Sequence, residues 1–422
     1  MRKTLATNLL IQGITFGTSV LTARLLGPVG RGELASVLLY PQLVASMCLL
    51  GVDRAVAVRA GRGELARPAH MLFALTAILA LPAAIVAYVV IHMQIRDSQL
   101  VVLSTQYIAY IPALYFFMLA TLMFNGMGDF SRFNHVRLGF YVANILGLAL
   151  IWLLHPTATL GWVVAANLAS VYSGLLLAVW LVRSMSSPKQ KVQTATQIQS
   201  VLILALPFAL PAAMSHFAAL AYQVVLEQRT SAAAFGSFIV IYSYSRLLSP
   251  VGNAVGSHIF RLGISGAHCD LASVFRRGWI VYLCCALPLV VTAQWLIPAV
   301  FGQDFPVDLL AIAALLMACV FALSADSMAE FLKGRTMVRT EIIALALSLG
   351  VTFCAGWLLV PRIGIVGMAL AIAVAEFIRC SLLAMRAAAV SGTKLASFCQ
   401  PTADDISELL LALRSAFGKA MK

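Results

Sequence analysis

Apolar runs of about twenty residues, the length needed to cross a hydrocarbon core, follow one another along this chain. They fall near 5–23, 34–53, 69–92, 100–124, 137–154, 161–182, 200–226, 233–256, 279–300, 307–331, 341–360 and 364–385. Turn and charge clusters separate them, among them GPVGRGE at 27–33, GRGELARP at 61–68 and NGMGDFSR at 125–132. Inside a bilayer every backbone N–H and C=O needs an internal partner, so such runs fold as helices. Composition decides the class in the same direction. Charged residues make up 11% and hydrophobic ones 61%, against about a quarter and a half in soluble domains. The expectation is an all-α polytopic membrane protein of about twelve transmembrane helices.

The net charge of +13 does not point to nucleic acid, because the basic residues sit in short loops between apolar runs. With the N-terminus inside, Arg24, Arg31, Arg96, Arg229 and Arg362 fall outside, and Arg246 and Arg379 lie within spans. The other 22 of the 29 Lys and Arg fall on the inner side, which predicts cytoplasmic termini and an even number of spans. Arg2 and Lys3 lead into a run followed by further spans, so no cleaved signal peptide is expected. The eight cysteines lie mostly in apolar stretches, with no metal-ligand spacing, and read as small core residues. No cofactor is expected, and there is no P-loop signature.

The polar stretch 184–199 divides the chain near its middle. It separates an expected N-terminal six-helix bundle (1–183) from a C-terminal one (200–389), with a cytoplasmic tail at 390–422. The halves resemble each other weakly. Setting Gly32 against Gly236 aligns GELASVLLYPQLVAS with GSFIVIYSYSRLLSP, so Tyr40 meets Tyr244; Gly161 meets Gly364 at a nearly equal offset. Repeats with an even number of spans share orientation and relate by a pseudo-two-fold along the membrane normal, a transporter pattern with the substrate site at their interface.

Three patches carry a family resemblance. The segment LTARLLGPVGRGELASVLLYPQLVASMCLLGVDRAV (21–56) resembles the opening of bacterial polysaccharide flippases, of the multidrug/oligosaccharidyl-lipid/polysaccharide exporter superfamily. FGQDF (301–305) is similar to that family's turn between helices nine and ten, and VPRIGIVGMALA (360–371) to the turn opening its twelfth helix. The resemblance implies two six-helix bundles around a cavity that opens alternately to each side of the bacterial inner membrane. It implies as cargo an oligosaccharide on polyprenyl pyrophosphate, moved to the outer leaflet for surface polysaccharide synthesis. Membrane lipids, and other polysaccharide assembly proteins, are the implied partners. Sugar and pyrophosphate cannot cross hydrocarbon unaided, since each unsatisfied polar group there costs several kcal/mol. The related peptidoglycan-precursor flippases carry arginines inside their early helices; Gln12 and Gln42 hold those mid-positions here, which favours a polysaccharide repeat unit.

Charges within spans mark candidate sites, because each faces a cavity or a partner. Arg246 reads either as a cavity cation for the pyrophosphate, with Tyr242 and Tyr244 offering rings and hydroxyls to sugar, or as the partner of a carboxylate on a neighbouring helix. Asp326 and Glu330 share a helix face, as an ion-coupling pair or as a cluster neutralised by Lys333 and Arg335. Glu376 and Arg379 suit an intrahelical pair, with Glu376 also a coupling candidate. His216, beyond Pro207 and Pro211, reads as a core histidine or a proton relay; the prolines suggest a kink. Arg54 reads as the neighbour of Asp53 or as a substrate contact at the cytoplasmic mouth, and Arg24 as a snorkelling residue. Ile406, Leu409, Leu410, Leu413, Phe417 and Met421 predict an amphipathic helix in the tail, on the membrane surface or docked on a partner protein.

Three classes of function stay open: the flippase, a cation-coupled multidrug exporter of the same architecture, and a membrane-embedded polymerase or ligase. A drug-cation antiporter should concentrate carboxylates deep in its spans. An enzyme should carry a sizeable outer loop, and every expected outer loop is short.

Overall fold

The computed structural model describes residues 2–65, 68–155, 159–185, 194–250, 271–334, 337–399, 402 and 404–407. All regular structure among them is helical. In chain order the helices are α1 (Arg2–Cys48), α2 (Val52–Gly61), α3 (Pro68–Gln94), α4 (Ser98–Tyr107), α5 (Tyr110–Gly126), α6 (Phe130–Leu154), α7 (Leu160–Arg183), α8 (Thr194–Arg229) and α9 (Ala232–Ser245). A 3₁₀ turn (Arg246–Leu248) follows α9, and then come α10 (Leu271–Phe301), α11 (Leu309–Gly334), α12 (Val338–Ser391) and α13 (Ala396–Cys399).

Nine helical stretches among the described residues are long and apolar enough to cross a membrane, and Ala232–Leu248 is a shorter apolar one. Two of the nine are too long to be single spans. The 47 residues of α1 would reach about 70 Å and the 54 of α12 about 80 Å, against a core of ~30 Å. Each is broken at a glycine. Gly27 takes φ 64°, ψ −175°, and Gly364 takes φ 61°, ψ −142° after a distorted Ile363. Side chains other than hydrogen are rarely accommodated there, so glycine lets the chain reverse without a loop. Pro28 then supplies a pre-set φ at the start of the second arm. With both arms of each long helix counted and the shorter helix added, the described residues hold twelve apolar helical segments. The protein is an all-α, multi-pass membrane protein.

The boundaries differ locally from the sequence reading. Of 27–33 only Gly27 leaves helical geometry, and the rest already belongs to the second arm of α1. The second span ends at Cys48, where Leu50 (φ 48°) and Gly51 (φ 71°) turn the chain left-handed. The expected loop then begins with α2, which buries Val52, Asp53, Ala55, Val56 and Ala60. A Cβ on Gly51 would stand 2.7 Å from Cβ of Phe208, so glycine admits both the turn and the approach to α8. Helix α8 runs on through Pro207 and Pro211. Each proline removes one intrahelical donor and frees the carbonyl four residues earlier.

The described residues form two compact units. Unit 1 is Met1–Val240 with Pro298–Pro306, and unit 2 is Ile241–Ile297 with Val307–Lys422. The core of unit 1 gathers Leu72, Leu75, Tyr115, Phe116 and Phe124 around α2, α3 and α5. The core of unit 2 gathers Phe275, Met328, Leu332, Leu383 and Phe398. Of the expected 184–199 linker, 186–193 lie outside the described residues, as does most of the predicted tail helix.

Within unit 1 the repeat becomes visible as a contact. Aligning Gly32 with Gly236 also aligns Pro28 with Ala232. A Cβ on Gly32 would overlap the carbonyl oxygen of Ala232, and a Cβ on Gly236 would overlap that of Pro28. The contact is therefore reciprocal: each repeat's glycine meets the other repeat's partner position. A two-fold axis passing between two equivalent helices produces that pattern.

Candidate functional site

In unit 2 the membrane-embedded charges converge on Arg379. Its Nη2 donates to Oδ1 of Asp326 at 2.6 Å and its Nη1 to Oε2 of Glu376 at 3.1 Å. The expected i,i+3 pair is thus formed. Asp326 has a partner on α12; the expected cluster with Lys333 and Arg335 falls on side chains outside the described residues. Arg379 is 10% exposed and Asp326 60%, so the carboxylate opens the cluster to its surroundings. Arg379 also keeps a buried Nε–H with no acceptor. Glu330, one turn beyond Asp326, is half-buried.

Arg246 belongs to the same neighbourhood, within electrostatic reach of Glu376 and Cys319. It does not sit in the middle of a regular helix as expected. Helix α9 stops at Ser245 and Arg246 begins a 3₁₀ turn, a local tightening that often marks a hinge, with its side chain exposed. Tyr242 is half-buried. Tyr244, expected to offer its hydroxyl to cargo, is 1% exposed and donates instead to the carbonyl of Leu289 at 2.8 Å, with Thr292 Oγ1 at 3.3 Å. Its role is to tie α9 to α10. Its repeat equivalent, Tyr40, is buried in the same way and donates to Glu227 Oε2 at 2.7 Å. Gln228 and Gln94 complete that network, which sequence reading missed because its members come from three helices.

Unit 1 brings together two candidates of different kinds, Arg54 and His216, with Asp53 between them in charge. Both Asp53 and Arg54 act electrostatically on His216. Arg54 and Asp53 do not form the expected ion pair. Asp53 is 5% exposed and buried on α2, with no hydrogen-bond partner for Oδ1, whereas Arg54 is exposed. Successive helix positions point about 100° apart, which separates the two heads. Arg24, read as snorkelling, donates to the carbonyls of Val300 and Ala299 at 2.7 and 2.5 Å, capping the C-terminal end of α10.

Two further arginines of unit 1 were read from the sequence only as loop charges. Arg137 lies about two turns into α6, donates to Asn8 at 3.0 Å and sits 4.9 Å over the Phe133 ring. Arg31, on the second arm of α1 near Tyr222, holds a buried Nε with no acceptor. Among the described residues, none of Arg31, Arg54 and Arg137 forms an ion pair, whereas Arg59 pairs with Glu64 and Arg132 with Asp129. No group of three or more metal-ligating side chains converges among the described residues.

No family model and no curated protein sequence matches this chain. Solved structures do. The lipid II flippase MurJ, in an inward closed conformation, superposes with a TM-score of 0.72 at 12% identity, over 97% of this chain and 92% of that one. An inward-facing multidrug resistance MATE family transporter of the MOP superfamily gives 0.66 at 16% identity, over 92% and 96%. An outward-facing one gives 0.61 at 17% identity, over 92% and 95%. At these identities the likeness establishes the fold, a helical one shared with a lipid II flippase and with multidrug transporters.

Proposed function

We propose that this protein is a transporter that flips polyprenyl-pyrophosphate-linked oligosaccharide from the inner to the outer leaflet of the bacterial cytoplasmic membrane by alternating access. Fold alone leaves two cargo classes, since it is shared by a lipid II flippase and by multidrug transporters. The observation that favours the anionic cargo is the set of arginines in unit 1, Arg31, Arg54 and Arg137, with no ion pair among the described residues. A site for cationic drugs needs the opposite excess. Guanidinium groups hold phosphate oxygens in paired hydrogen bonds, and they keep their charge at any physiological pH.

In unit 2, Arg246 at the end of α9 is a further candidate cation, with Tyr242 a candidate for the sugar. Arg54 stands at the cytoplasmic mouth. Coupling to an ion gradient falls to the embedded titratable groups. Asp326 and Glu376 around Arg379, with Glu330 one turn away, form one such set, and Asp53 with His216 the other. Protonation of a carboxylate in the first set releases Arg379, which changes how α11 holds α12. The second reading is a cation-coupled exporter of small molecules, in which Asp326, exposed at the cluster's edge, binds the drug itself.

Deleting the gene and analysing lipid-linked intermediates on each face of the membrane separates the two. Accumulation of single-repeat polyprenyl-linked oligosaccharide on the cytoplasmic face, with surface polymer lost, is the expected result. Normal surface polymer together with new sensitivity to cationic drugs selects the exporter.

A further inference from the structure

Unit 2 contains a groove away from the charge cluster. It has a volume of 290 Å³ and lies between the first turns of α10, the middle of α11, the last part of α12 and the segment after it. Its wall is a run of touching rings. Centroids stand 5.7 Å apart for Phe398–Phe275, 6.5 Å for Phe275–Trp279, 5.7 Å for Trp279–Phe321 and 5.3 Å for Phe321–Phe377. Phe377 is 53% exposed and Leu395 42%, so the groove is open to its surroundings.

One end of this apolar slot carries Arg276, with further basic residues next to it in the chain. Arg276 donates from Nε to Asp405 at 2.6 Å and from Nη1 to the carbonyl of Ser397 at 2.5 Å. Arg277 reaches the same carboxylate at 3.4 Å. Asp405, 1% exposed, also accepts from Ser273 Oγ at 3.0 Å and from Thr402 N and Oγ1 at 3.0 and 2.8 Å. These bonds fasten the segment after α12 to the start of α10, which is what holds Leu395 and Phe398 in place as part of the wall. Lys394 and Arg386, both exposed, adjoin the groove residues Leu395 and Met385, and Asp404 is the one other acid in the segment described.

We propose that this groove binds one acyl chain of an anionic phospholipid, with the phosphate of its headgroup at the Arg277–Lys394 end. The size of the groove selects the occupant. At about 30 Å³ for a water-sized group, it admits roughly ten such groups, the scale of a single chain. A helix of a partner protein, about 10–12 Å across, does not enter it. The charge selects the headgroup: basic residues at a membrane interface attract anionic lipid. Nothing in this inference depends on which cargo the protein carries.

The test uses the full-length protein in phosphatidylcholine nanodiscs containing a small fraction of lipid brominated on its acyl chains. Quenching of Trp279 is isolated by subtracting the signal of the Trp279→Phe variant. Brominated phosphatidylglycerol is expected to quench Trp279 several-fold more than brominated phosphatidylcholine at equal mole fraction. In Arg277→Gln/Lys394→Gln the two lipids should quench equally, with phosphatidylcholine quenching unchanged. Should that variant fold poorly, Arg386→Gln is expected to lower the preference in part without touching the Asp405 contacts. Equal quenching by both lipids in the unaltered protein overturns the proposal, leaving ordinary boundary lipid. Displacement of the brominated phosphatidylglycerol by a polyprenyl phosphate at lower mole fraction than by unlabelled phosphatidylglycerol also overturns it, assigning the groove to an isoprenoid chain.

Discussion

Arg379 shows how far a single residue can be read in advance. Its bond to Glu376 follows from a spacing of three on one helix, which any sequence displays. Its shorter bond to Asp326 joins two helices, and no local pattern encodes which carboxylate a span will face. Removing one partner of a buried ion pair typically costs 3–5 kcal/mol, because the other charge stays behind. Asp326 is 60% exposed, so the lower end applies here. Arg379→Met should therefore lower stability by about 3 kcal/mol, and Arg379→Met with Asp326→Asn and Glu376→Gln should recover most of it. Thermal unfolding of the purified variants checks both; an unrescued triple variant would show that Arg379 acts through packing. Asp405 is a second case, invisible in the sequence because Arg276 precedes it by more than a hundred residues. Burial pushes its carboxyl up, but the bonds from Arg276, Thr402 and Ser273 outweigh that and hold it well below the usual carboxylate range. A depressed pKa contributes stability that is complete above the unfolded value of about 3.9 and is lost as pH falls toward the folded one. Hydrogen-exchange protection factors across 394–399, corrected for the intrinsic rate at each pH, should stay constant from about pH 8 to pH 5 and fall only below about pH 4. A fall between pH 7 and 5 would mean that another group holds the segment.

At the scale of elements, apolar length was legible and element ends were not. The runs before and after Gly27 and Gly364 are plain in the sequence, and so is the need for a break. That one residue suffices for each reversal is a matter of backbone conformation, which hydropathy does not carry. Helix α2 was missed for a different reason. Its arginines read as a loop, yet its small apolar face is buried, and burial against other elements decided its structure. The second arm of α1 and α9 pose the sharpest requirement. Their approach leaves no room for a methyl group at Gly32 or at Gly236, and in each case the obstacle is backbone, which cannot swing aside. Gly32→Ala and Gly236→Ala should each destabilise the protein by about 1–3 kcal/mol, the usual cost of overpacking. Because the two contacts are equivalent, the two losses should be similar in size, whereas Gly13→Ala, with open space around its Cβ position, should be close to neutral. Unequal effects at 32 and 236, measured by chemical or thermal unfolding, would argue against a local two-fold between these helices.

For the whole molecule, the number of spans connects sequence charge to topology. An even number of spans, twelve on the sequence reading, would return the chain to the side from which it began and put both termini on one face. The uneven spread of Lys and Arg then chooses the face, because basic loops resist translocation. Cysteines introduced singly at Ser186, Thr340 and Thr393 should be shielded from an impermeant maleimide in intact cells, and cysteines at Ser98, Thr230 and Asp304 should react. Reaction at both sets in one population would indicate dual insertion, and reversal of the pattern would place the basic face outside. The same result bears on transport. Arg54, beside the second span's end, belongs to the basic side, whereas Arg31 and Arg24 belong to the other. For the anionic headgroup proposed as cargo, Arg54 would stand at one end of the path and Arg31 at the other. If labelling reverses the orientation, the order of those contacts reverses with it, and the direction proposed for the cargo falls while the preference for an anion stands.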